Sequence, residues 1–171
     1  MQAGARRADE QLTDRRTAMP DVVIDLIDPK DAALITHLYN QVFRPERDEA
    51  YFKRRLENRM NPLAMAARVK TEAVGFFVGM ERTPRVFFGW LVGVLPDARR
   101  MGVATQLINT AADWAQSRGY GAIRFECHNR QRAMLHFGIA NGYDIVGMRW
   151  DSDRAENLLI LEKSLREGVS D

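Results

Sequence analysis

Residues 86–104 of this chain read VFFGWLVGVLPDARRMGVA and decide its fold. The segment 86–95 is almost entirely apolar, which predicts a β-strand covered on both faces. A glycine-containing turn follows, and apolar residues at helical spacing begin directly after it. A turn that leads from a strand into a helix directs unpaired backbone N–H groups outward, where they bind phosphate together with the helix dipole.

Two common phosphate-binding loops are absent from this segment. It contains neither the G-x-x-x-x-G-K-[ST] pattern of a mononucleotide loop nor the G-x-G-x-x-G pattern of a dinucleotide-binding turn. Gly93 lies inside the strand near its end, a position typical of a β-bulge or of close approach to a ligand. The segment therefore predicts a phosphate site of another class.

The flanking sequence predicts a chain that alternates strands and helices. Asp28 and Pro29 are suited to begin the first helix, and Asn129 is suited to cap the last. The predicted order is β-α-α-β-β-β-α-β-α-β-β, an α/β chain with a mixed sheet. In that order the elements span residues 22–27, 28–43, 46–59, 63–69, 73–80, 86–95, 104–119, 121–127, 129–142, 143–150 and 157–165.

Composition limits the class of protein further. The 171 residues are 46% hydrophobic and suit one domain, here residues 20–171, preceded by a charged leader at 1–19 that we expect to be disordered. The 25 basic residues nearly balance the 23 acidic ones. A nucleic-acid partner for the N-terminal arginines is a weaker hypothesis, since acids interleave with them, and we expect none.

Cysteine usage and hydropathy indicate a cytoplasmic protein. Cys127 is the single cysteine, so an intrachain disulfide is excluded and a cysteine metal cluster is not expected. The longest uncharged run, residues 86–96, is too short for a membrane span of about 20 residues. We therefore expect neither a membrane partner nor a bound metal.

Residues 99–104, RRMGVA, match the [QR]-x-x-G-x-[GA] signature of the GCN5-related N-acetyltransferases (GNAT). Asn129 followed by Asn141-Gly142-Tyr143 resembles the second motif of that family, and the resemblance extends over residues 22–165. It implies an α/β (α+β) fold with a central mixed, mostly antiparallel twisted sheet of about seven strands flanked by four helices. It also implies acetyl-CoA as co-substrate.

The resemblance assigns the cofactor contacts to specific positions. It implies that Val92 and Val94 pair with the pantetheine arm and that Asn129 contacts it. A bulge at Gly93 would splay the two central strands, and the N–H near Val94 would polarise the thioester carbonyl. The resemblance places the pyrophosphate on the turn made by Arg99, Arg100, Met101, Gly102, Val103, Ala104 and Thr105.

The acid and base needed for direct transfer to an amine are less clearly marked. Glu126 is the candidate base, on the same strand face as His128; alternatively it pairs with an arginine such as Arg124 or Arg130. Glu81 is a further candidate. The family's tyrosine acid corresponds to His136 or to Gly138, depending on the motif from which one counts, so His136 is the candidate acid. We expect Cys127 to be buried and not a nucleophile.

The acceptor is predicted only as a class. Tyr39, Tyr51 and Phe52 lie in the helices that resemble the family's roof over the acceptor site. The prediction is an N-acetyltransferase acting on a small-molecule or peptide amine, with an acyl-CoA-binding module without turnover as the alternative. The last strands are a plausible place for a homodimer contact.

Overall fold

The computed structural model describes residues 21–166, so the leader predicted at 1–19 lies outside the described residues. Within them the chain forms seven strands and four α-helices, with one short 3-10 turn at Pro96–Ala98. The elements are β1 (Val22–Ile27), α1 (Ala32–Val42), α2 (Glu49–Leu56), β2 (Leu63–Val69), β3 (Glu72–Thr83), β4 (Val86–Val94), α3 (Val103–Ser117), β5 (Ala122–His128), α4 (Arg132–Ala140), β6 (Asp144–Asp151) and β7 (Glu156–Ser164).

The strands form one sheet in the order β1-β2-β3-β4-β5-β7-β6. All neighbours are antiparallel except β4 and β5, which are parallel and joined by the crossover helix α3. The predicted fold class, a mixed and mostly antiparallel seven-stranded sheet with four helices, is confirmed. The β4–α3–β5 unit places the end of β4 and the start of α3 at the centre of the sheet.

Two hydrophobic cores cover the two faces of the sheet. On one face α3 and α4 pack over a core that includes Leu107, Ala111 and Phe87. On the other face α1 and α2 pack over Ile35, Phe52 and Phe76. Because β4 contributes side chains to both cores, its almost continuous apolar sequence is explained.

A capping side chain explains why α1 begins later than predicted. α1 begins at Ala32 because the Asp31 carboxylate accepts from the N–H of Leu34, whereas Asp28 accepts from Lys30 in the preceding turn. The predicted cap of α4 is wrong. Gln131 precedes that helix, and the Asn129 side chain instead accepts from Arg132 at 3.3 Å.

The predicted bulge at Gly93 is also wrong, because the extra residue is Trp90. Val78 pairs with Leu91 and Gly79 pairs with Gly89, which leaves Trp90 unpaired in the ladder. Gly93 keeps a regular register opposite Phe76, and a Cβ there would lie 2.5 Å from the Phe76 ring. Glycine at 93 therefore serves close packing against an aromatic ring and not a change of register.

Candidate active site

The two parallel strands at the centre of the sheet separate after a short ladder. β4 and β5 pair only over residues 86–89 and 122–125, and the Trp90 bulge follows immediately in β4. The strands then diverge, and the space between them is a cleft of about 670 Å³, called here the central cleft. The predicted splay of these strands is therefore present, with the bulge three residues earlier than expected.

The backbone of β4 beyond the bulge faces this space. The N–H of Leu95 donates to the Val74 carbonyl of β3 at 2.8 Å, which sets the alternation along the strand. Val92 and Val94 occupy the alternate positions, so their N–H and C=O groups point away from β3. The Val94 carbonyl accepts a bond from Arg99 Nε at 3.3 Å. The geometry leaves backbone groups of Val92 and Val94 directed at the gap.

The turn after β4 presents a series of free amides. Arg100 and Gly102 adopt left-handed conformations, with φ of 64° and 74°, which turn the chain sharply into α3. Within residues 21–166, the N–H groups of residues 100–105 have no hydrogen-bond acceptor, whereas the Gln106 N–H bonds to the Gly102 carbonyl. Only the Arg99 N–H at the turn's start is satisfied, by Pro96. Six successive free donors at the N-terminus of a fifteen-residue helix suit an anion.

Glu126 lies in the wall of the central cleft contributed by β5. Its side chain is 15% exposed, with Arg149 Nη2 at 3.5 Å and Arg82 Nη2 at 3.9 Å. The two pairing partners considered from sequence are wrong. Arg124 binds Glu162, and Arg130 lies 4.0 Å from Glu156. Glu126 is thus a partly shielded carboxylate held between two cations that come from β3 and β6.

His128 lies on the same face of β5, as the strand alternation predicts, and also lines the central cleft. Its Nε2 is 2.8 Å from an Asp151 carboxylate oxygen. The hydrogen bond with His128 lowers the pKa of Asp151 below its usual range, with help from the N–H groups of Asp153 and Arg154. Asp151 and Arg149 were missed from sequence because only the β5–β7–β6 register brings them beside β5.

The part of the cleft lining on the α3–α4 side of the sheet is apolar. Cys127 is 1% exposed, and burial raises the pKa of its thiol, which favours the protonated form. Tyr143 packs edge-to-face against Phe125 with ring centroids 4.9 Å apart, and burial raises the pKa of its phenol as well. No fully buried polar side-chain atom in the described part of the chain lacks a partner. The Tyr143 hydroxyl has no hydrogen-bond partner among residues 21–166 and is therefore not fully buried, and Tyr143 lines the central cleft.

Several predicted residues are not brought to the cleft. His136 is exposed on α4, and neither it nor Asn129 is among the cleft-lining residues. Glu81 lies outside the cleft, where its carboxylate accepts from Tyr120 at 2.7 Å and from Asn61 at 2.9 Å. Of the residues predicted to meet an acceptor, Tyr39 and Tyr51 line the cleft, whereas Phe52 is fully buried in the core.

A family model described as the acetyltransferase (GNAT) family matches residues 32–139. The chain belongs to the GNAT acetyltransferase family. The match includes β4, the turn at 99–105 and α3, the elements that form the free amides and one wall of the cleft. The resemblance predicted from residues 99–104 is therefore confirmed at the level of the family.

Solved GNAT structures share this fold. The ribosomal-protein-S18-alanine N-acetyltransferase from Escherichia coli superimposes with a TM-score of 0.75 at 15% identity, over 88% of this chain and 98% of that one. Ard1 from Thermoplasma volcanium gives 0.71 at 20% identity, over 85% and 99%. A GNAT family acetyltransferase from Elizabethkingia anophelis, solved with acetyl-CoA bound, gives 0.69 at 13% identity, over 84% and 97%. No curated protein matches the sequence.

Two further observations on this GNAT protein concern metal binding and membrane spanning. Among residues 21–166, no group of three or more histidine, cysteine, aspartate or glutamate side chains is placed to hold a metal ion. None of the helices that the structure describes combines the length and hydropathy needed to cross a membrane.

Proposed function

We propose that this protein transfers an acetyl group from acetyl-CoA directly to a primary amine in the cytoplasm. The observation that carries the proposal is the run of six free N–H groups at residues 100–105, next to an opening in the sheet, in a chain of the acetyltransferase family. The Elizabethkingia relative with bound acetyl-CoA has the same fold. A small-molecule or peptide amine is the proposed acceptor.

The residues present fit a diphosphate and an amide-containing arm. The amides of the turn at residues 99–105 would hold the diphosphate, with Arg99 and Arg100 adding positive charge at its exposed side. The backbone groups of Val92 and the N–H of Val94 would pair with the arm, and Asn129 is the proposed side-chain contact beyond β5. When bound, acetyl-CoA supplies the acetyl thioester, and the chain's own groups orient it.

Glu126 is the proposed base. An aliphatic amine has a pKa near 10 and must lose a proton before it can attack. Glu126 is the partly shielded carboxylate on the cleft wall that, unlike Asp151, makes no close bond with a histidine. Arg82 and Arg149 flank its carboxylate, and it would take the proton directly or through a water molecule.

Tyr143 is the proposed acid in place of His136. The departing thiolate needs a proton, and a phenol carries its proton at neutral pH; burial raises the pKa of Tyr143 further. It lines the central cleft, whereas His136 is exposed on α4 outside it. Gly138 is the other position at which the resemblance would place a tyrosine. A Cβ at Gly138 would lie 2.7 Å from both Leu161 and Phe125, so this position has no room for one.

A homodimer through β6 is also proposed. Among the described strands β6 pairs with β7 alone, so its outer edge has free backbone groups. Four large apolar residues on this strand are more than half exposed, namely Ile145, Val146, Met148 and Trp150. An apolar edge strand of this kind supports pairing with a second copy.

Calorimetric titration with acetyl-CoA, followed by a thiol-release assay over a panel of amines, tests the proposal. We expect micromolar binding and release of thiol with at least one amine. No heat and no rise in Tm at millimolar acetyl-CoA would contradict it, since a thousandfold excess over Kd should stabilise the fold by about 4 kcal/mol. Binding with no thiol release on any amine would favour the acyl-CoA-binding module.

A further inference from the structure

Positive charge is concentrated around the central cleft. Among residues 21–166, seven arginines line it against two carboxylates, Glu126 and Asp151, although basic and acidic residues number 25 and 23 in the full sequence. The arginines come from distant parts of the sequence and converge only in the folded protein. They are Arg44, Arg47, Arg55, Arg82, Arg124, Arg149 and Arg154.

These arginines lie on the face of the sheet that α1 and α2 cover. Along β5, Arg124, Glu126 and His128 alternate with Ile123, Phe125 and Cys127, which belong to the core beneath α3 and α4. No residue of the turn at 99–105 lines the cleft. The cleft arginines are therefore separate from the free amides proposed to hold the diphosphate, and their charge requires another explanation.

Three of these guanidinium groups have no carboxylate partner within residues 21–166. Arg124 is bonded to Glu162, Arg82 and Arg149 share Glu126, and Arg44 lies 3.9 Å from Glu46. The remaining three are Arg47, Arg55 and Arg154. The Arg47 guanidinium lies 4.7 Å from the centre of the Tyr51 ring, and that of Arg55 lies 5.5 Å from the centre of the Trp90 ring.

Like charges that converge on one cleft repel each other and attract an anion from solution. The guanidinium fork matches carboxylate and phosphate oxygens, and the two stacked arginines are held by Tyr51 and Trp90. A polycationic amine would meet repulsion at the same place. We propose that the acceptor is an amine that also carries an anionic group, a carboxylate or a phosphate, bound by Arg47, Arg55 and Arg154. This inference rests on the proposed function.

Matched pairs of amines test the inference. We suggest three pairs: 4-aminobutanoate with 4-aminobutanamide, O-phosphoethanolamine with ethanolamine, and C-terminally amidated short peptides with Asp or with Asn after the free N-terminus. Spermidine serves as the polycation. We expect kcat/KM to be at least tenfold higher for the anionic member of a pair, and its KM to rise with salt because exposed charges are screened. The carboxylate and phosphate pairs distinguish the two kinds of anion.

Variants show whether the arginines cause that preference. Arg55→Gln and Arg154→Gln should each lower kcat/KM for the anionic amine about tenfold and leave the neutral one nearly unchanged. Arg54→Gln is the matched control, because Arg54 is exposed on the same helix and does not line the cleft. The melting temperature of each variant checks that it folds.

Two results would overturn the inference and leave the proposed function intact. One is turnover of neutral or polycationic amines at least as fast as of anionic ones. The other is preserved acetyl-CoA binding with no turnover of any anionic amine in the panel. Failure of acetyl-CoA binding itself would instead contradict the proposed function, so the two failures are distinguishable.

Discussion

Gly102 is the residue on which the free amides of the turn depend. Its φ of 74° is a conformation that costs other residues about 1–2 kcal/mol. We expect Gly102→Ala to lower the free energy of unfolding by that amount and to weaken acetyl-CoA binding at least tenfold, because the amides of residues 100–105 lose their common direction. Urea unfolding and calorimetry measure the two effects.

Gly119 provides the control for that prediction. It has a φ of 85° at the other end of α3, and no atom lies within 4 Å of the Cβ that alanine would add. Gly119→Ala should therefore cost similar stability without changing acetyl-CoA affinity. Equal loss of affinity in both variants would show that general destabilisation, and not the geometry of the turn, is responsible.

Glu126 and Glu81 are the two candidate bases that the sequence left open. Because only Glu126 lines the central cleft, we expect Glu126→Gln to lower kcat by about 10²-fold or more, with the KM for acetyl-CoA little changed. Glu81→Gln should retain kcat, since Glu81 is bonded to Tyr120 and Asn61 outside the cleft. Steady-state kinetics of the two variants distinguish the candidates. A large loss of kcat in Glu81→Gln with kcat retained in Glu126→Gln would assign the base to Glu81.

The acid is tested by the same kind of comparison. We expect Tyr143→Phe to lower kcat about 10²-fold, because removal of one hydroxyl leaves the thiolate without its proton donor. His136→Gln should change kcat less than twofold, given its exposed position on α4. Thiol release at saturating substrates measures both, with melting curves to confirm folding. A large loss in His136→Gln alone would return the role to His136.

The predictability of the site differs from residue to residue. The turn at 99–105 can be predicted from local sequence, and so can the strand face that Glu126 and His128 share. Turn chemistry and strand alternation both depend on only a few neighbouring residues. Asp151, Arg149 and Arg82 could not be found in that way. They reach β5 through the pairing of β3 with β4, of β4 with β5, and of β7 with β5 and β6, and such pairing depends on distant segments.

At the scale of elements, β4 shows the same limit. Its apolar run correctly predicts a buried strand, but the glycine alone predicts a bulge at Gly93, where the register is regular. A bulge is a property of two paired strands, and here β3 pairs Val78 and Gly79 on either side of Trp90. As a result both Trp90 and Leu91 pack toward the α1–α2 core.

Gly79 lies opposite the bulge and should tolerate no side chain. A Cβ there would lie 2.8 Å from the Phe88 carbonyl and 2.7 Å from the Phe87 ring, and a backbone atom cannot move aside cheaply. We expect Gly79→Ala to lower the free energy of unfolding by about 1–3 kcal/mol. Gly147→Ala in β6 is the control, with its nearest contact at 3.3 Å from Ile160. Urea unfolding compares them, and equal stability would contradict the packing argument.

At the scale of the whole molecule, the exposed strand β6 makes a testable prediction about assembly. We expect light scattering to give twice the 19.5 kDa chain mass, and Met148→Lys to yield monomers, because a buried lysine opposes pairing at the β6 edge. Met60 is 65% exposed, similar to Met148 at 63%, but lies outside β6. Met60→Lys should leave the mass unchanged. A monomer before any substitution would refute the dimer.

The short β4–β5 ladder has one more consequence. Only four residue pairs join the two halves of the sheet, and the strand ends beyond them carry backbone groups without partners. Bare strand edges of this kind nucleate aggregation. A ligand that fills the gap covers those groups. The larger the fraction of protein molecules with an occupied gap, the less protein should precipitate on heating.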